Sequence, residues 1–193
     1  MSDQPQTSHE DAEKANVNVW MVHPNLAASP RFELPAGYRM RFYGEGDVET
    51  WVRIHEVAEP FLTPTAETFA RYMPDEAKRP QRVMFLVDAD GTDIGTVTAW
   101  NSDTLLGRDA GLVHWVAIVP SAQGLGLAKP MLSAILDVFR ELGYNEAWLE
   151  TSSGRIPALN LYLRFGFVPY VRGEADAAAW RAVAPQLRYP VAL

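Results

Sequence analysis

The strongest constraint on the fold is a strand pattern, a glycine-containing turn and a helix pattern that follow one another between residues 112 and 139. The run from 112 to 119 is rich in β-branched and aromatic residues and is closed by Pro120, as is typical of a strand. From Ala128 onward apolar residues recur at helical spacing, and Gly143 stands where a residue after a helix C-terminus is expected. The pattern therefore predicts a strand that leads through a short turn into an amphipathic helix.

The turn between this strand and this helix has the composition of an anion-binding loop. Its residues are Gln123, Gly124, Leu125, Gly126, Leu127 and Ala128. A helix start leaves backbone N–H groups without intrahelical partners, and the helix dipole favours negative charge at the same place. The two glycines lack the Cβ atoms that would keep a phosphate away from those donors. We therefore expect a phosphorylated ligand at this turn.

What the turn lacks narrows the choice of ligand. A P-loop would place Gly-Lys-Ser/Thr here, whereas Gly126 is followed by Leu127, Ala128 and Lys129, so nucleoside triphosphate chemistry is disfavoured. A dinucleotide fingerprint would need a third glycine at position 129 and an acidic ribose partner, for which Glu146 is at a tolerable distance. The missing glycine weakens that interpretation.

A second motif follows the turn. Its residues are Ala158, Leu161, Tyr162, Gly166 and Phe167, which spell Ala-x-x-Leu-Tyr-x-x-x-Gly-Phe. Together with the Gln-x-x-Gly-x-Ala turn and the strand pattern at 146–151 between them, this motif resembles the GNAT (GCN5-related N-acetyltransferase) superfamily. The resemblance covers residues 112–170 well, and residues 38–100 fit by the order of their elements.

The resemblance implies an α/β fold, with a single-domain, mixed and mostly antiparallel central sheet, helices on both faces and a splayed strand pair. The order of patterns along the chain agrees with such a fold. Strands are predicted at 38–43, 82–88, 93–100, 112–119, 146–151 and 167–171, and helices at 47–58, 63–73, from 128, before Gly166 and at 175–184. Residues 1–31 are predicted to be an acidic tail and an extended lead-in, and residues 32–193 a single acyl-CoA-dependent acetyltransferase domain.

The composition fits one enzyme-sized domain and argues against several classes of function. The chain has 193 residues, 48% of them hydrophobic, and can bury one core without disulfides. The absence of cysteine excludes a thiol nucleophile and cysteine-ligated zinc. The net charge of −7 and the lack of a basic stripe argue against a nucleic-acid partner. No run resembles a signal peptide or reaches the roughly 18 apolar residues of a membrane span, so we expect a cytoplasmic protein without a membrane partner.

The resemblance also implies acetyl-CoA as co-substrate, held in the gap between the splayed strands, and no metal. The backbone of Val116, Ala117 and Ile118 would bond the pantetheine arm, and the amides of the turn from Gln123 to Ala128 would take the pyrophosphate. Arg155 is assigned to the same site, because it stands where the family commonly has asparagine and would either reshape the pocket or cap the next helix.

Two features depart from the family pattern. Gln123 stands where the family often has arginine. Pro130 lies within the first helical turns, and its missing N–H would leave the carbonyl of Gly126 without a partner. We expect a distorted start of this helix.

Catalytic roles follow from the resemblance for one residue and from position for two others. Tyr162 matches the family tyrosine that protonates the leaving thiolate, and its phenol can donate; the alternative makes it the polar edge of a helix. His114 is a candidate base. It lies two residues before Val116, so strand alternation would place both on one face, although a lone histidine in an apolar strand is more often a core residue. Glu150, at the end of the next strand, is the alternative: it would act as the base through a water, or it is an ordinary strand-end carboxylate.

The acceptor is predicted to be a small-molecule or peptide amine, and its identity is left open, as is a homodimeric assembly. By position, the residues that would line its pocket are Glu56, Glu59, Phe61, Trp100 and Tyr170. The alternative function is a non-catalytic acyl-CoA-binding or sensor module that keeps the loop without turnover. A mononucleotide-binding protein using the same turn is a third interpretation.

Overall fold

A computed structural model describes residues 17–58, 63–102 and 109–193, which contain both strands and helices. The strands are β1 (Asn18–His23), β2 (Arg39–Phe42), β3 (Val83–Val87), β4 (Asp93–Ser102), β5 (Ala110–Ile118), β6 (Ala147–Ser152) and β7 (Val168–Tyr170). The α-helices are α1 (Asp47–Ala58), α2 (Ala66–Tyr72), α3 (Arg79–Arg82), α4 (Ala128–Glu141), α5 (Ile156–Phe165) and α6 (Glu174–Val183). Short 3-10 turns lie at Leu26–Ala28, Glu76–Lys78, Pro120–Ala122 and Ala184–Gln186.

The chain divides into two compact units. The central unit consists of residues 24–147. The terminal unit combines the two ends of the chain, and its described residues are 17–23 and 148–193.

In the central unit the strands lie in the order β2-β3-β4-β5, and each neighbouring pair is antiparallel. All five residues of β3, Val-Met-Phe-Leu-Val, are buried, as expected of a continuous apolar run in a strand that is covered on both faces. Helices α1 and α4 pack against β4 and β5. The fully buried side chains here include Trp51, Ile54, Phe69, Phe85, Leu132, Ile135 and Phe139.

A charged network fixes the start of α1. The guanidinium of Arg41 on β2 donates to Asp47 at 2.6 Å and to Asp93 at 2.7 Å. Asp47 also accepts from the backbone N–H of Gly44 at 2.6 Å, so its carboxylate closes the turn before the helix. The network thereby ties β2, α1 and β4 together.

Strand β5 carries a β-bulge at Trp115. Thr98 of β4 lies opposite His114, but Thr96 lies opposite Ala117, so β5 contains one extra residue between these pairs. Trp115 has a φ of +48°, a left-handed conformation that costs a non-glycine residue of order 1–3 kcal/mol. Such backbone strain clusters at functional sites, so β5 is a candidate for a functional strand.

In the terminal unit the strands lie in the order β6-β1-β7, and β1 and β7 are antiparallel. Val17 and Ser153 exchange two hydrogen bonds at the start of β1: the Val17 N–H donates to Ser153 Oγ at 2.9 Å, and the Ser153 N–H donates to the Val17 carbonyl at 2.8 Å. At the other end of β1, His23 Nε2 lies 2.8 Å from the carbonyl of Phe165, the last residue of α5.

The α/β class predicted from the sequence is confirmed, as are the antiparallel strands and the helices that flank them. The hairpin of β3 and β4 forms where expected. The sequence missed β1, which lies within the predicted lead-in, and it placed the start of the second helix too early: Thr65 is the N-cap of α2, because its side chain accepts from Thr68 N–H. The splayed strand pair and the domain boundaries stay predictions, and the acidic tail lies outside the described residues.

Pro130 does not distort α4, contrary to the expectation. The helix runs from Ala128, and the Met131 N–H donates to the carbonyl of Leu127 at 3.1 Å. Pro130 is the third helical residue, where no intrahelical acceptor exists for an N–H group. Its missing donor therefore costs the helix nothing.

Candidate active site

The loop between β5 and α4 presents a row of unpartnered backbone donors. Gly124 and Gly126 have φ values of +79° and +80°, and a Cβ added at either would meet nothing within 4 Å. Among the described residues, no acceptor is bound by the N–H groups of residues 124–128. Leu127 is buried and anchors the loop, whereas Leu125 is 56% exposed. The loop therefore offers five amides on an open, glycine-lined bend.

This arrangement fits a diphosphate group. Successive N–H groups on a backbone of alternating handedness form an anion-binding concavity, and the N-terminus of α4 adds its dipole. No side chain caps the start of α4. The donors that a capping residue would otherwise satisfy are left for a ligand or for water.

Gln123 differs from its five neighbours. Its N–H donates to the carbonyl of Pro120 at 3.2 Å within the 3-10 turn, and its side chain donates to the carbonyl of Ile118 at 2.9 Å. The expectation that the Gln123 amide binds pyrophosphate is therefore wrong for that N–H group, because it already has an acceptor. Instead, Gln123 holds the turn against the end of β5.

The bulge changes which side chains of β5 share a face. Directly opposed residues of an antiparallel pair lie on the same face, and residues two apart on a regular strand do so as well. Because Thr98 faces His114 and Thr96 faces Ala117, His114 and Ala117 share one face. The prediction that His114 and Val116 share a face is wrong, since the extra residue interrupts the alternation along β5.

His114 is partly buried in an aromatic environment. Its ring centroid lies 5.1 Å from that of Tyr72 and 5.6 Å from that of Trp115. Burial lowers the pKa of His114 to about 4, because the charged imidazolium is poorly solvated there. At neutral pH the imidazole is therefore neutral and able to accept a proton, although it is a weak base.

Sequence reasoning missed three residues beside His114. Trp115 occupies the strained position of the bulge, Tyr72 projects from α2, and Thr98 lies opposite His114 with a fully buried hydroxyl that has no hydrogen-bond partner within the described part of the chain. The sequence held no signal for the bulge. Tyr72, three residues after Phe69, could have been found from its helical spacing on α2.

Tyr162 lies on α5 in the terminal unit and is 6% exposed. Its ring packs against Phe167 at 5.8 Å, and its hydroxyl has no hydrogen-bond partner among the described residues. Burial raises the pKa of Tyr162 to about 12, although the positive charge of Arg155 acts in the opposite direction. The phenol is therefore protonated throughout the physiological pH range.

Arg155 occupies the N-cap position of α5, and its side chain makes no capping hydrogen bond. The capping alternative for this residue is therefore wrong. Its backbone joins the turn to the helix, because its N–H donates to Ser152 and its carbonyl accepts from Leu159, both at 3.0 Å. Its positive charge acts to lower the pKa of Tyr162, against the larger effect of burial.

Glu150 is exposed and is the fourth of the six residues of β6. Its charge, together with that of Asp176, raises the pKa of Arg172; the hydrogen bond from Arg172 to Asp176 makes the largest contribution. Ser153, three residues after Glu150, exchanges hydrogen bonds with Val17. Arg172, in the same unit, is therefore a charged neighbour of Glu150.

The predicted site residues fall into two groups. The central unit brings His114, Val116, Ala117 and Ile118 into one strand, which is continuous with the loop from Gln123 to Ala128. The terminal unit carries Glu150, Arg155 and Tyr162 on β6, its following turn and α5. The residues of each group therefore lie on elements of a single unit.

The residues predicted to line an acceptor pocket have mixed outcomes. Trp100 is a core residue at 6% exposure, and Tyr170 packs edge-on against Trp148 at 4.8 Å. Glu56 is exposed on α1. Glu59 and Phe61 lie outside the described residues.

The described residues contain no group of three or more histidine, aspartate and glutamate side chains that could hold a metal ion. In the same part of the chain, every helix is too short or too polar to cross a bilayer.

Solved structures share this fold. A GCN5-related N-acetyltransferase from Sphaerobacter thermophilus superposes with a TM-score of 0.66 at 23% identity, over 80% of this chain and 48% of that one. The ribosomal-protein-S18-alanine N-acetyltransferase from Escherichia coli superposes with a TM-score of 0.57 at 20% identity, over 69% of this chain and 79% of that one. At these identities the likeness concerns the fold.

Sequence comparison establishes the family. Residues 48–167 match the model of the acetyltransferase (GNAT) family, so the chain belongs to that family. A mycothiol acetyltransferase from Pseudarthrobacter chlorophenolicus is 29% identical over 77% of this chain, and one from Saccharomonospora viridis is 30% identical over 75% of it. The chain spans about half the length of these relatives, 49% and 52% respectively.

Proposed function

We propose that this protein transfers the acetyl group of acetyl-CoA to a primary amine. The observation that carries the proposal is the loop of residues 124–128, whose five amides lack acceptors within the described chain, in a member of the acetyltransferase (GNAT) family. The named relatives are acetyltransferases, which supports the same reaction class.

The loop supplies enough binding energy for the diphosphate of acetyl-CoA. A hydrogen bond to a charged group contributes about 1.5–3 kcal/mol. Three or four of the five amides would support micromolar binding, about 8 kcal/mol, after the costs of association. In the proposal, the backbone of Val116, Ala117 and Ile118 bonds the pantetheine arm beside the bulge.

In the proposed transfer, one bond forms, one bond breaks and the amine gives up two protons. The amine, bound as an ammonium ion, gives one proton to a base or to water, and its nitrogen attacks the thioester carbonyl carbon. A C–N bond forms, the C–S bond breaks, and the amine nitrogen loses its second proton. The leaving thiolate takes up one proton. The products are an N-acetylated acceptor and CoA.

Tyr162 is proposed to donate a hydrogen bond to the leaving sulfur. A phenol with a pKa of about 12 holds its proton more tightly than a thiol, whose pKa is about 8.5. It therefore stabilises the developing thiolate through its O–H group without itself becoming ionised. Its hydroxyl finds no partner among the described residues, which supports this role, since a phenol in the core would be expected to find an acceptor.

His114 is proposed as the group that accepts the amine proton, with Glu150 acting through water as the alternative. A base with a pKa of about 4 works only above that pH, so the acidic limb of the pH–rate profile should lie near pH 4. The His114→Ala variant should lose that limb. An unaltered limb would transfer the role to Glu150 or to water.

A thiol-release assay with acetyl-CoA and a panel of amines tests the proposal. Amine-dependent release of CoA is expected, with acetylated amine in equal amount. CoA binding without release for any amine would favour the alternative, a non-catalytic acyl-CoA-binding module. The same assay with longer acyl-CoA esters shows which acyl group the protein transfers.

A cytoplasmic location and a homodimeric assembly are proposed from the sequence. The proposed reaction does not depend on either of them. Cell fractionation tests the location, and light scattering tests the assembly. A small-molecule or peptide amine is the proposed partner in the reaction.

A further inference from the structure

Three aromatic side chains of the central unit meet beside the bulge of β5. The ring centroids of Tyr72, His114 and Trp115 lie 5.1 to 5.6 Å apart in all three pairs. Their planes are inclined to one another by 61° to 71°, so the rings form the walls of a corner instead of a flat stack. We call these three residues the aromatic corner.

Buried rings of α1, themselves in contact with a ring of α2, pack against the Trp115 side of the aromatic corner. Trp51 is fully buried, and its ring lies 5.0 Å from that of Trp115. His55 lies 5.1 Å from the same ring, and Phe69 lies 5.2 Å from Trp51. Rings that are fixed by packing lose little entropy when a ligand binds, so the corner is a preorganised surface.

The exposed side of the corner is unusual for a structural cluster. Tyr72 is 43% exposed, and His114 and Trp115 are both partly exposed. Trp115 also bears the left-handed backbone strain of the bulge, which the surrounding packing must offset. Both features indicate a binding surface.

We propose that the aromatic corner binds the protonated amino group of the acceptor and selects amines without a neighbouring carboxylate. This inference rests on the proposed acetyl transfer and names the substrate class of that site. Faces of tryptophan and tyrosine rings attract cations within about 6 Å of the centroid and repel anions, because their π-electron clouds are negative. The overall charge of −7 favours the same choice.

The placement of the corner also suits the reaction. Trp115 immediately precedes Val116, the first of the strand residues proposed to bond the pantetheine arm. His114, which is neutral at physiological pH because burial lowers its pKa, adds no positive charge that would repel an ammonium ion.

The first test compares two acceptors that differ in the group next to the amine. Phenylalanine amide and phenylalanine have the same ring and the same amino group, but only phenylalanine has a carboxylate. The corner predicts a lower KM for phenylalanine amide with acetyl-CoA held constant. Equal KM values, or a preference for phenylalanine, would overturn the proposal.

The second test removes one wall of the corner. Tyr72→Leu should raise the KM for phenylalanine amide about two- to fivefold, the range expected for a cation–π contact at an exposed site, and leave the KM for acetyl-CoA unchanged. Tyr72→Phe keeps the ring and should behave like the wild type. Phe42→Leu is a matched control, because Phe42 is 44% exposed on β2 outside the corner. If Tyr72→Leu and Phe42→Leu have the same KM for the amide, the corner is not the amine site.

A binding measurement separates this proposal from the proposed function. Calorimetric titration of the CoA complex with phenylalanine amide and with phenylalanine needs no turnover. If the wild type releases no CoA with any amine, acetyl transfer is refuted, while tighter binding of the amide that depends on Tyr72 still supports the corner. If turnover occurs but binding is indifferent to the carboxylate and to Tyr72, only the corner is refuted.

Discussion

At the scale of single residues, Gly126 is placed where any side chain would project from the loop of residues 124–128. Its φ of +80° is a conformation that L-residues rarely adopt, and the space beside its Cα is open. We predict that Gly126→Val lowers the affinity for acetyl-CoA more than tenfold, because the isopropyl group occupies the space in front of the amides. Isothermal titration calorimetry measures the change.

Gly91 provides a matched control for that variant. It has a φ of +84° and equally open surroundings in the hairpin between β3 and β4. Gly91→Val should therefore carry a similar backbone strain, of order 1–2 kcal/mol, without affecting acetyl-CoA. Wild-type affinity in Gly126→Val, or an equal loss in both variants, would contradict the assignment of the loop.

Tyr162 allows a second residue-scale prediction. Because its hydroxyl has no partner in the described protein, Tyr162→Phe should leave the free energy of unfolding within about 0.5 kcal/mol of wild type. Turnover should fall about 10- to 100-fold with an unchanged KM for acetyl-CoA, since the hydroxyl acts on the leaving sulfur. Tyr43→Phe, on a ring that stacks on Phe69, is the control. Unchanged kcat in Tyr162→Phe would return this residue to a packing role.

At the scale of elements, the end of α5 depends on β1. Gly166 ends the helix with a φ of +97°, and a Cβ there would lie 3.2 Å from His23 Nε2. The same His23 nitrogen hydrogen-bonds the carbonyl of Phe165, and the His23 ring packs edge-on against Phe167 at 5.2 Å. Strand β1 therefore closes the C-terminus of the helix that carries Tyr162.

Removal of this contact should destabilise the protein. His23→Ala leaves the buried Phe165 carbonyl without its side-chain donor, which costs about 1–3 kcal/mol of unfolding free energy in addition to the lost packing. His23→Gln, which keeps a donor, should recover part of the loss. Urea denaturation measures both variants. A His23→Ala variant as stable as wild type would show that α5 ends independently of β1.

The elements also show what the sequence could and could not predict. Periodicity and turn chemistry located β2 to β7 and the long helices, because each has a local apolar pattern and a recognisable end. Strand β1 was missed because it pairs with β7, nearly 150 residues away in the chain, and local pattern cannot report such a contact. The bulge at Trp115 was missed for a similar reason, since it is a property of the register between β4 and β5.

The candidate site was predicted in part for the same physical reason. The glycines at 124 and 126 are a local signal, and they adopt the left-handed conformation that the turn needs. The engagement of the Gln123 amide depends on the 3-10 turn before it, and the surroundings of His114 depend on α2 and the bulge. These features arise from tertiary structure, so residue types alone did not reveal them.

At the scale of the whole molecule, His114 couples stability to pH. An exposed histidine titrates near pH 6.5, whereas burial lowers the pKa of His114 to about 4 in the folded protein. Between these pH values the unfolded chain binds a proton that the folded chain does not. The contribution of this group therefore destabilises the fold as pH falls from about 6.5 to about 4, and it changes no further below pH 4.

Substitution of His114 should reduce this acid sensitivity. From pH 7 to pH 5 the wild type should lose at most about 2 kcal/mol through this residue, less where solvent reaches the ring. His114→Phe keeps an aromatic ring without a titrating group, so its loss over the same range should be smaller. Urea denaturation at both pH values gives the comparison. An identical loss in wild type and His114→Phe would contradict the low pKa.

The most direct test of the proposed CoA site is an NMR titration of the uniformly ¹⁵N-labelled protein with CoA. The diphosphate should shift the amide resonances of residues 124–128, while the Gln123 amide, already bonded to Pro120, should respond least within the turn. The glycine amides of Gly91 and Gly143 serve as internal references. If the resonances of the loop amides do not shift while CoA binds elsewhere, or if CoA does not bind at all, the assignment of residues 124–128 to the diphosphate is contradicted.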